Sequence, residues 1–215
     1  MKRLLVVLTL VGCMIVSLSA AAMASNVYVE GFGAGKWDSE LSSKDGDLDL
    51  GFAVGGEYNF DQFKVGLEYL SGTEENGKPT GGDQDYRTYE IKAGYRVFQN
   101  DQFNLDATLG YYNEKYKDVD RKIKGAILGA DASYKINDKF ALSGSVGFSV
   151  DGDIDAPGLY YDGNDADILI GKIQGSYNFT DQIAGFLGYR YVSSDIDQSG
   201  KIKNHGATLG VSYNF

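Results

Sequence analysis

The sequence predicts an all-β chain: a closed, antiparallel, up-and-down transmembrane β-barrel of ten strands with its apolar side chains outward. Three observations predict it. Apolar residues recur with a period of two along most of the chain, connections alternate between tight turns and long polar segments, and aromatic residues gather at both ends of one strand face.

The first segment is set apart from the rest. Lys2 and Arg3 precede an apolar run from Leu4 to Val16, and "AMAS" follows at Ala22 to Ser25. A basic start, an apolar middle and a small-x-small exit describe a secretory signal peptide over 1–24, leaving a barrel domain over 25–215. "LVGC", ending at Cys13, has the look of a lipoprotein cleavage box, but the apolar residues after it favour a cysteine inside the discarded signal. The mature chain then has no cysteine, so disulfides play no part. Loss of the signal removes two bases and no acid, moving the formal charge from −10 to −12. A chain this acidic is a poor partner for nucleic acid.

The strands follow in order. A glycine-rich stretch at 27–37 comes first. In 48–60, Leu48, Leu50, Phe52, Val54, Gly56, Tyr58 and Phe60 alternate with Asp49, Gly51, Ala53, Gly55, Glu57 and Asn59. The same period continues in 63–69, 86–98, 103–112, 123–136, 140–150, 166–179, 183–192 and 202–215. Tight turns are expected at 60–63, 99–102, 137–139 and 180–182, where Asn and Asp suit the sharp reversal. Longer polar connections are expected at 38–47, 72–85, 113–122, 151–165 and 193–201. A strand end, a tight turn and a strand start recur as one phrase, for example "SYKINDKFALSGSVGF" and "SYNFTDQIAGFLGYRY", and the chain stops on "SYNF".

The two faces differ in kind. One carries Val54, Leu67, Ile91, Leu109, Leu128, Val146, Ile173, Leu187, Leu209 and Val211 at mid-strand. Its ends carry Tyr58, Phe60, Phe63, Tyr95, Phe103, Tyr134, Phe140, Tyr177, Phe179, Tyr213 and Phe215 toward the turns, and Trp37, Tyr69, Tyr89, Tyr111, Phe148, Tyr189 and Tyr191 toward the long loops. Two aromatic girdles suit the two interfaces of a bilayer. Phe140 to Phe148 spans eight steps, or ~20 Å of height at a ~40° tilt, against an apolar band of ~25 Å. The other face is expected to line the lumen as a charge network: Glu30, Lys36, Asp49, Glu57, Lys64, Glu68, Glu90, Lys92, Arg96, Asp106, Asp131, Lys135, Lys172 and Arg190. Buried ions must be paired or solvated.

Motifs for chemistry are few. "GTEENGKP", Gly72 to Pro79, has the spacing of a phosphate loop, but proline replaces the Ser or Thr and two glutamates would repel phosphate. Asp151, Asp153, Asp155 and Asp162 have partial calcium-loop spacing, with Ala156 where the turn needs glycine, and stand only as weak metal candidates. His205 is the only histidine and falls on the apolar face. No catalytic residue and no cofactor is expected.

The ending "GATLGVSYNF", with the alternating face behind it, resembles the small outer-membrane β-barrels of Gram-negative bacteria, the porin-family or opacity-protein-like group that includes OmpX-like and OmpA-like barrels. The resemblance implies a bacterial outer-membrane address, contact with outer-membrane lipid and lipopolysaccharide, and eight strands as the commoner alternative to ten. It also implies that Leu209, Val211, Tyr213 and Phe215 form the C-terminal signal read by the outer-membrane assembly machinery. The expected function is a non-enzymatic barrel with a structural or surface-interaction role through acidic outer loops; a narrow pore for small solutes or ions is the alternative.

Overall fold

The computed structural model describes residues 25–40, 44–77, 82–117, 119–159 and 162–215. The expected signal peptide, with Cys13, lies outside these residues. Eleven strands follow one another: β1 (Asn26–Ser39), β2 (Lys44–Leu48), β3 (Gly51–Phe60), β4 (Phe63–Glu74), β5 (Gln84–Gln99), β6 (Phe103–Tyr116), β7 (Arg121–Lys135), β8 (Phe140–Asp155), β9 (Ala166–Asn178), β10 (Ile183–Ile196) and β11 (Gly200–Asn214). Each pairs antiparallel with its neighbours, and β11 returns to β1 from Asn26↔Asn214 to Ser39↔Ile202. Ser25 and Phe215 complete the seam by exchanging both backbone hydrogen bonds, at 3.3 and 3.0 Å.

The count differs from ten because the expected second strand is broken. β2 and β3 both pair with β1 and both with β4, and Asp49–Leu50 interrupts them. The break faces a bulge on β1, where Ala34 adopts φ 48° and the register against β11 shifts between Gly33 and Lys36. Gly35 fits there for want of a side chain: a Cβ would stand 2.1 Å from the His205 carbonyl oxygen.

Three short turns share one device, which explains the repeated phrase. The Asn100 side-chain oxygen accepts from the backbone N–H groups of Gln102 and Phe103, at 2.9 and 2.7 Å. Asn137 does the same for Lys139 and Phe140, both at 2.9 Å, and the Thr180 hydroxyl for Gln182 and Ile183. A side-chain oxygen thus takes the place of a backbone acceptor at each reversal. The Asp61 turn, φ 57°, closes Phe60 onto Phe63 instead.

The apolar face points outward. Leu67, Leu109, Ile173, Leu187 and Leu209 are 58, 59, 62, 64 and 66% exposed. A continuous belt of this kind is an aggregation surface in water and a fitting one in hydrocarbon. Rings border it: Phe60, Phe63 and Tyr95 stack in sequence at 5.7 and 5.3 Å toward the turns, and Tyr69 meets Tyr89 at 5.1 Å toward the loops. Trp37 is the exception to the expected girdles. The β1 bulge reverses parity beyond it, so Trp37 turns inward, 1% exposed, and Lys36 turns outward.

The strands also run farther than expected at the loop end, taking in much of the polar connections. Beyond the upper girdle the inside–outside alternation continues while its character inverts. On β6, Leu105, Leu109 and Tyr111 face out where Asp106 and Thr108 face in; farther along, Asn113 and Lys115 face out and Tyr112 and Tyr116 are buried. β7 repeats this with Leu128 outside at mid-strand and Ile123 inside near its start. The barrel is therefore a membrane protein at one height and a water-soluble one above it.

Two substitutions on the same outward face should separate these levels. Leu109→Arg should reduce folding into bilayers by ~2–4 kcal/mol, as for a charge at the midplane. Thr73→Arg, beyond the girdle, should be tolerated; the check is urea titration of both variants in lipid vesicles.

Candidate functional site

The lumen has three levels. Nearest the turns, six side chains from five strands form a chain of ion pairs: Arg96 to Asp106 (2.9 Å), Asp106 to Lys64 (3.0 Å), Lys64 to Asp131 (2.6 Å), Asp131 to Lys92 (2.8 Å) and Lys92 to Glu57 (3.1 Å). Signs alternate along it, so every ion has an opposite neighbour. Period-two spacing places each of these residues inward, and the glycines among them, such as Gly66 and Gly94, leave room for the long lysine stems.

One level higher, Arg190 bonds Glu68 at 2.5 Å and stands 3.7 Å from Glu30, while Lys172 bonds Glu30 at 2.5 Å. The Tyr28 hydroxyl donates to Glu68. The Lys172 ammonium also lies over the Tyr28 and Phe186 rings. Glu90 faces the same space opposite Glu68 in register, and among the described residues no base bonds it.

These two levels enclose a polar cavity of about 590 Å³. Its wall runs from Asn26, Asn59, Asp61 and Gln99 at the turn end to Arg190, Ile127 and Ile170. Above that height an apolar cluster occupies the lumen. Trp37, Phe32, Leu70, Ile123, Ile154, Ile168 and Ile196 are fully buried and pack with Leu48, Tyr86, Tyr112 and Ile202 into one apolar plug. Each large side chain so buried contributes about 1.5–3 kcal/mol. Sequence reasoning placed most of these residues at strand ends, took the segments of Ile154 and Ile196 for connections, and missed the plug. The signal was present in the buried row Tyr112, Tyr116, Ile123, Ile154, Ile168 and Ile196, which alternates with mostly polar, outward-facing residues.

Two carboxylates are set in the plug. The Tyr116 hydroxyl lies 3.1 Å from Glu74 Oε1 and 3.1 Å from Glu114 Oε1, and the Asn204 amide donates to Glu74 at 3.1 Å. Arg121 stacks its guanidinium over the Tyr116 ring at 3.7 Å. The cluster stands beyond the upper girdle, clear of the lipid band. Burial raises the Glu74 carboxyl to about 7; Arg121 works against the rise and Glu114 adds to it. Burial raises Glu114 as well, opposed by Arg121.

Several expected site residues lie elsewhere. Lys36 is outside the barrel, 3.5 Å from Asp47, because of the β1 bulge. Asp49 sits exposed in the β2–β3 break, its backbone N–H given to Thr73. Lys135 is at the turn-end rim, bonded at 2.8 Å to Asp138 in the adjoining turn, which holds the Asp138 carboxyl below its usual range. The metal candidates do not converge. Asp153 and Asp155 face Lys124 at 3.6 and 2.8 Å, Asp162 accepts the Ala156 N–H, and among the described residues no group of three or more metal-ligating side chains forms. His205 is on the outer face, where the Tyr189 hydroxyl meets its Nδ1 and the Tyr191 ring stacks at 6.3 Å. Leu209 and Val211 face outward on β11, and Tyr213 stacks on Phe215 at 6.4 Å.

Residues 6–171 match the model of the outer membrane protein beta-barrel domain. The chain belongs to this family. Its place is the bacterial outer membrane, and its outward apolar belt is the lipid-facing wall of a family barrel. Among solved structures it is similar to the outer membrane protease OmpT from Escherichia coli, with TM-score 0.61, 11% identity, and 92% of this chain and 99% of that chain covered. It is also similar to an outer membrane channel from Pseudomonas putida F1, with TM-score 0.55, 12% identity, and 91% and 97% covered. At such identities the likeness is one of fold. No curated protein matches in sequence.

Two outcomes follow from the lumen chemistry. Asp131→Ala, which leaves Lys64 and Lys92 with one fewer counter-ion each, should cost about 3 kcal/mol in urea unfolding. The plug should loosen with rising pH. A raised carboxyl favours the folded state fully below its unfolded value near 4.5, and that contribution is lost as pH climbs to about 7. Trp37, the single tryptophan and itself in the plug, reports this directly: its emission should shift to the red between pH 5 and pH 8, and Glu74→Gln should flatten the profile.

Proposed function

We propose that this is a non-enzymatic, non-conducting outer-membrane barrel of ten staves that presents its acidic loop end to the exterior. β2 and β3 occupy one position between β1 and β4, which supports the count of ten. The observation that carries the sealed reading is the end of the polar cavity beneath the apolar plug. An ion crossing that plug would lose its water among isoleucines, leucine and tryptophan, where the buried polar groups Glu74, Glu114, Tyr116 and Asn204 are already bonded to one another, at a cost of several kcal/mol. The paired lumen ions then act as internal struts that hold the strands in register, and the vestibule opens only toward the turn end.

The exterior role rests on what the loop end exposes. Asp45, Asp47, Asp49, Asp83, Asp165 and Asp167 stand exposed around it, a surface suited to basic partners or to cations shared with neighbouring lipopolysaccharide. Leu209, Val211, Tyr213 and Phe215, in line on the outer face of the last strand, suit recognition by the assembly machinery before closure. His205 is held by tyrosines with no carboxylate bonded to it among the described residues, which favours an interfacial role over catalysis.

Planar-bilayer recording tests the reading. Wild type should give no unitary steps at any voltage, whereas Tyr116→Ala with Ile154→Ala, which hollows the plug, should admit small ones. Stable unitary conductance of the wild type would replace this reading with the narrow-pore alternative, for which the vestibule would be the entrance.

A further inference from the structure

We infer that the outer face of β5–β6–β7, just beyond the loop-end girdle, binds the phosphorylated headgroup of an outer-leaflet lipid. Arg87 on β5 stands opposite Lys115 on β6, which stands opposite Lys122 on β7. All three share the outward face of Tyr89 and Tyr111. Like charges directly across a sheet repel and destabilise the pairing, so three in a row call for a reason.

The rest of the chain sharpens the contrast. Acids outnumber bases, 30 to 20. Elsewhere on the outer wall beyond the girdle, bases meet acids across the strands: Lys36 with Asp47, Lys203 with Asp38, Lys201 with Asp195, and Lys124 with Asp153 and Asp155. Among the described residues no carboxylate lies within ion-pair distance of Arg87, Lys115 or Lys122. Asp85, two residues along β5 from Arg87, accepts from Thr73 at 3.0 Å instead. Those four bases have built-in partners, whereas among the described residues Arg87 and Lys115 have none within ion-pair distance. The acid facing Lys122 in register, Asp155, is bonded to Lys124, so this row leaves its counter-ions to the surroundings.

Position names those surroundings. Arg87 and Lys115 stand two residues beyond the Tyr89↔Asn113 pair, which is about 6–7 Å along the strand and at the depth where headgroups begin. The row spans two inter-strand spacings, roughly 10 Å, enough for more than one phosphate. Guanidinium and ammonium groups donate strong charge-assisted bonds to phosphate oxygens, and the tyrosine rings below suit the boundary between headgroup and acyl chain. The ligand class is a lipid whose headgroup carries several phosphates. This inference rests on the reading that the loop end faces the exterior.

The test folds the protein into phosphatidylcholine vesicles containing a small fraction of bisphosphorylated lipid A, extracts it in mild detergent, and counts retained lipid by native mass spectrometry. Wild type should retain lipid A, and Arg87→Gln/Lys115→Gln/Lys122→Gln should retain about tenfold less. The control Lys36→Gln/Lys201→Gln/Lys203→Gln should match wild type. Equal retention by the first variant, or equal loss by the control, overturns the assignment, as does no retention by wild type. A parallel arm adds inorganic pyrophosphate to vesicles without lipid A. Saturable pyrophosphate binding that the Arg87 variant loses would reassign the row to a soluble anion. The heat-dependent gel shift of each sample separates the two readings: a wild type that fails to insert in vesicles contradicts the membrane assignment itself, while folded protein without lipid contradicts only this site.

Discussion

The rest of the structure depends on one constraint: a peptide group inside hydrocarbon must find its hydrogen bond within the protein, because an unsatisfied one costs several kcal/mol. A sheet meets that demand only by closing. The pairing of β11 with β1, completed by the reciprocal bonds between Ser25 and Phe215, is the closure. Once the ring exists, alternate side chains must face lipid or lumen. Every charged residue at membrane height among the described residues is thereby forced inward, where all but Glu90 find an opposite charge across the barrel. The Arg96–Asp106–Lys64–Asp131–Lys92–Glu57 chain is what that requirement produces.

Height along the barrel then decides what each face should be made of. Where lipid surrounds the wall, burial is cheap outside and ions collect inside. Where water surrounds it, the same strands turn polar residues out and gather apolar ones within. The inversion occurs across a single pair of residues on several strands, at Tyr69, Tyr89 and Tyr111, without a change of strand geometry there, whereas β1 and β8 reach it through bulges. The plug is therefore the ordinary hydrophobic core of the part of the barrel that stands in water, and in the proposed reading the sealing of the lumen is its by-product.

Most of the strands and all the short turns were legible because period-two alternation is strongest where one face meets lipid. Turn residues Asn100, Asn137 and Thr180 signalled their role through side-chain oxygens that substitute for backbone acceptors. The bulge at Ala34 was not legible, since the run from Gly31 to Gly35 offers almost no side chains by which to track parity; Trp37 and Lys36 were placed on the wrong faces as a result. The loop-end strands were hidden for a different reason. Their outward residues are charged, as a loop's would be, and only the inward row of tyrosines and isoleucines betrays a core. Of the lumen set, Glu30, Glu57, Lys64, Glu68, Glu90, Lys92, Arg96, Asp106, Asp131, Lys172 and Arg190 are brought to one interior by parity alone. Which acid would meet which base was beyond sequence, because partners such as Lys172 and Glu30 come from opposite ends of the chain.

The central claim is that apolar side chains at mid-strand face lipid while Trp37 lies inside, above the lipid. Depth-dependent quenching by brominated phospholipids measures this directly. In a Trp37→Phe background, Leu109→Trp, Leu187→Trp and Leu209→Trp should each be quenched most by lipids brominated near the ends of their acyl chains, and native Trp37 should be quenched by none. Strong quenching of Trp37, with the three introduced positions silent, would contradict the account.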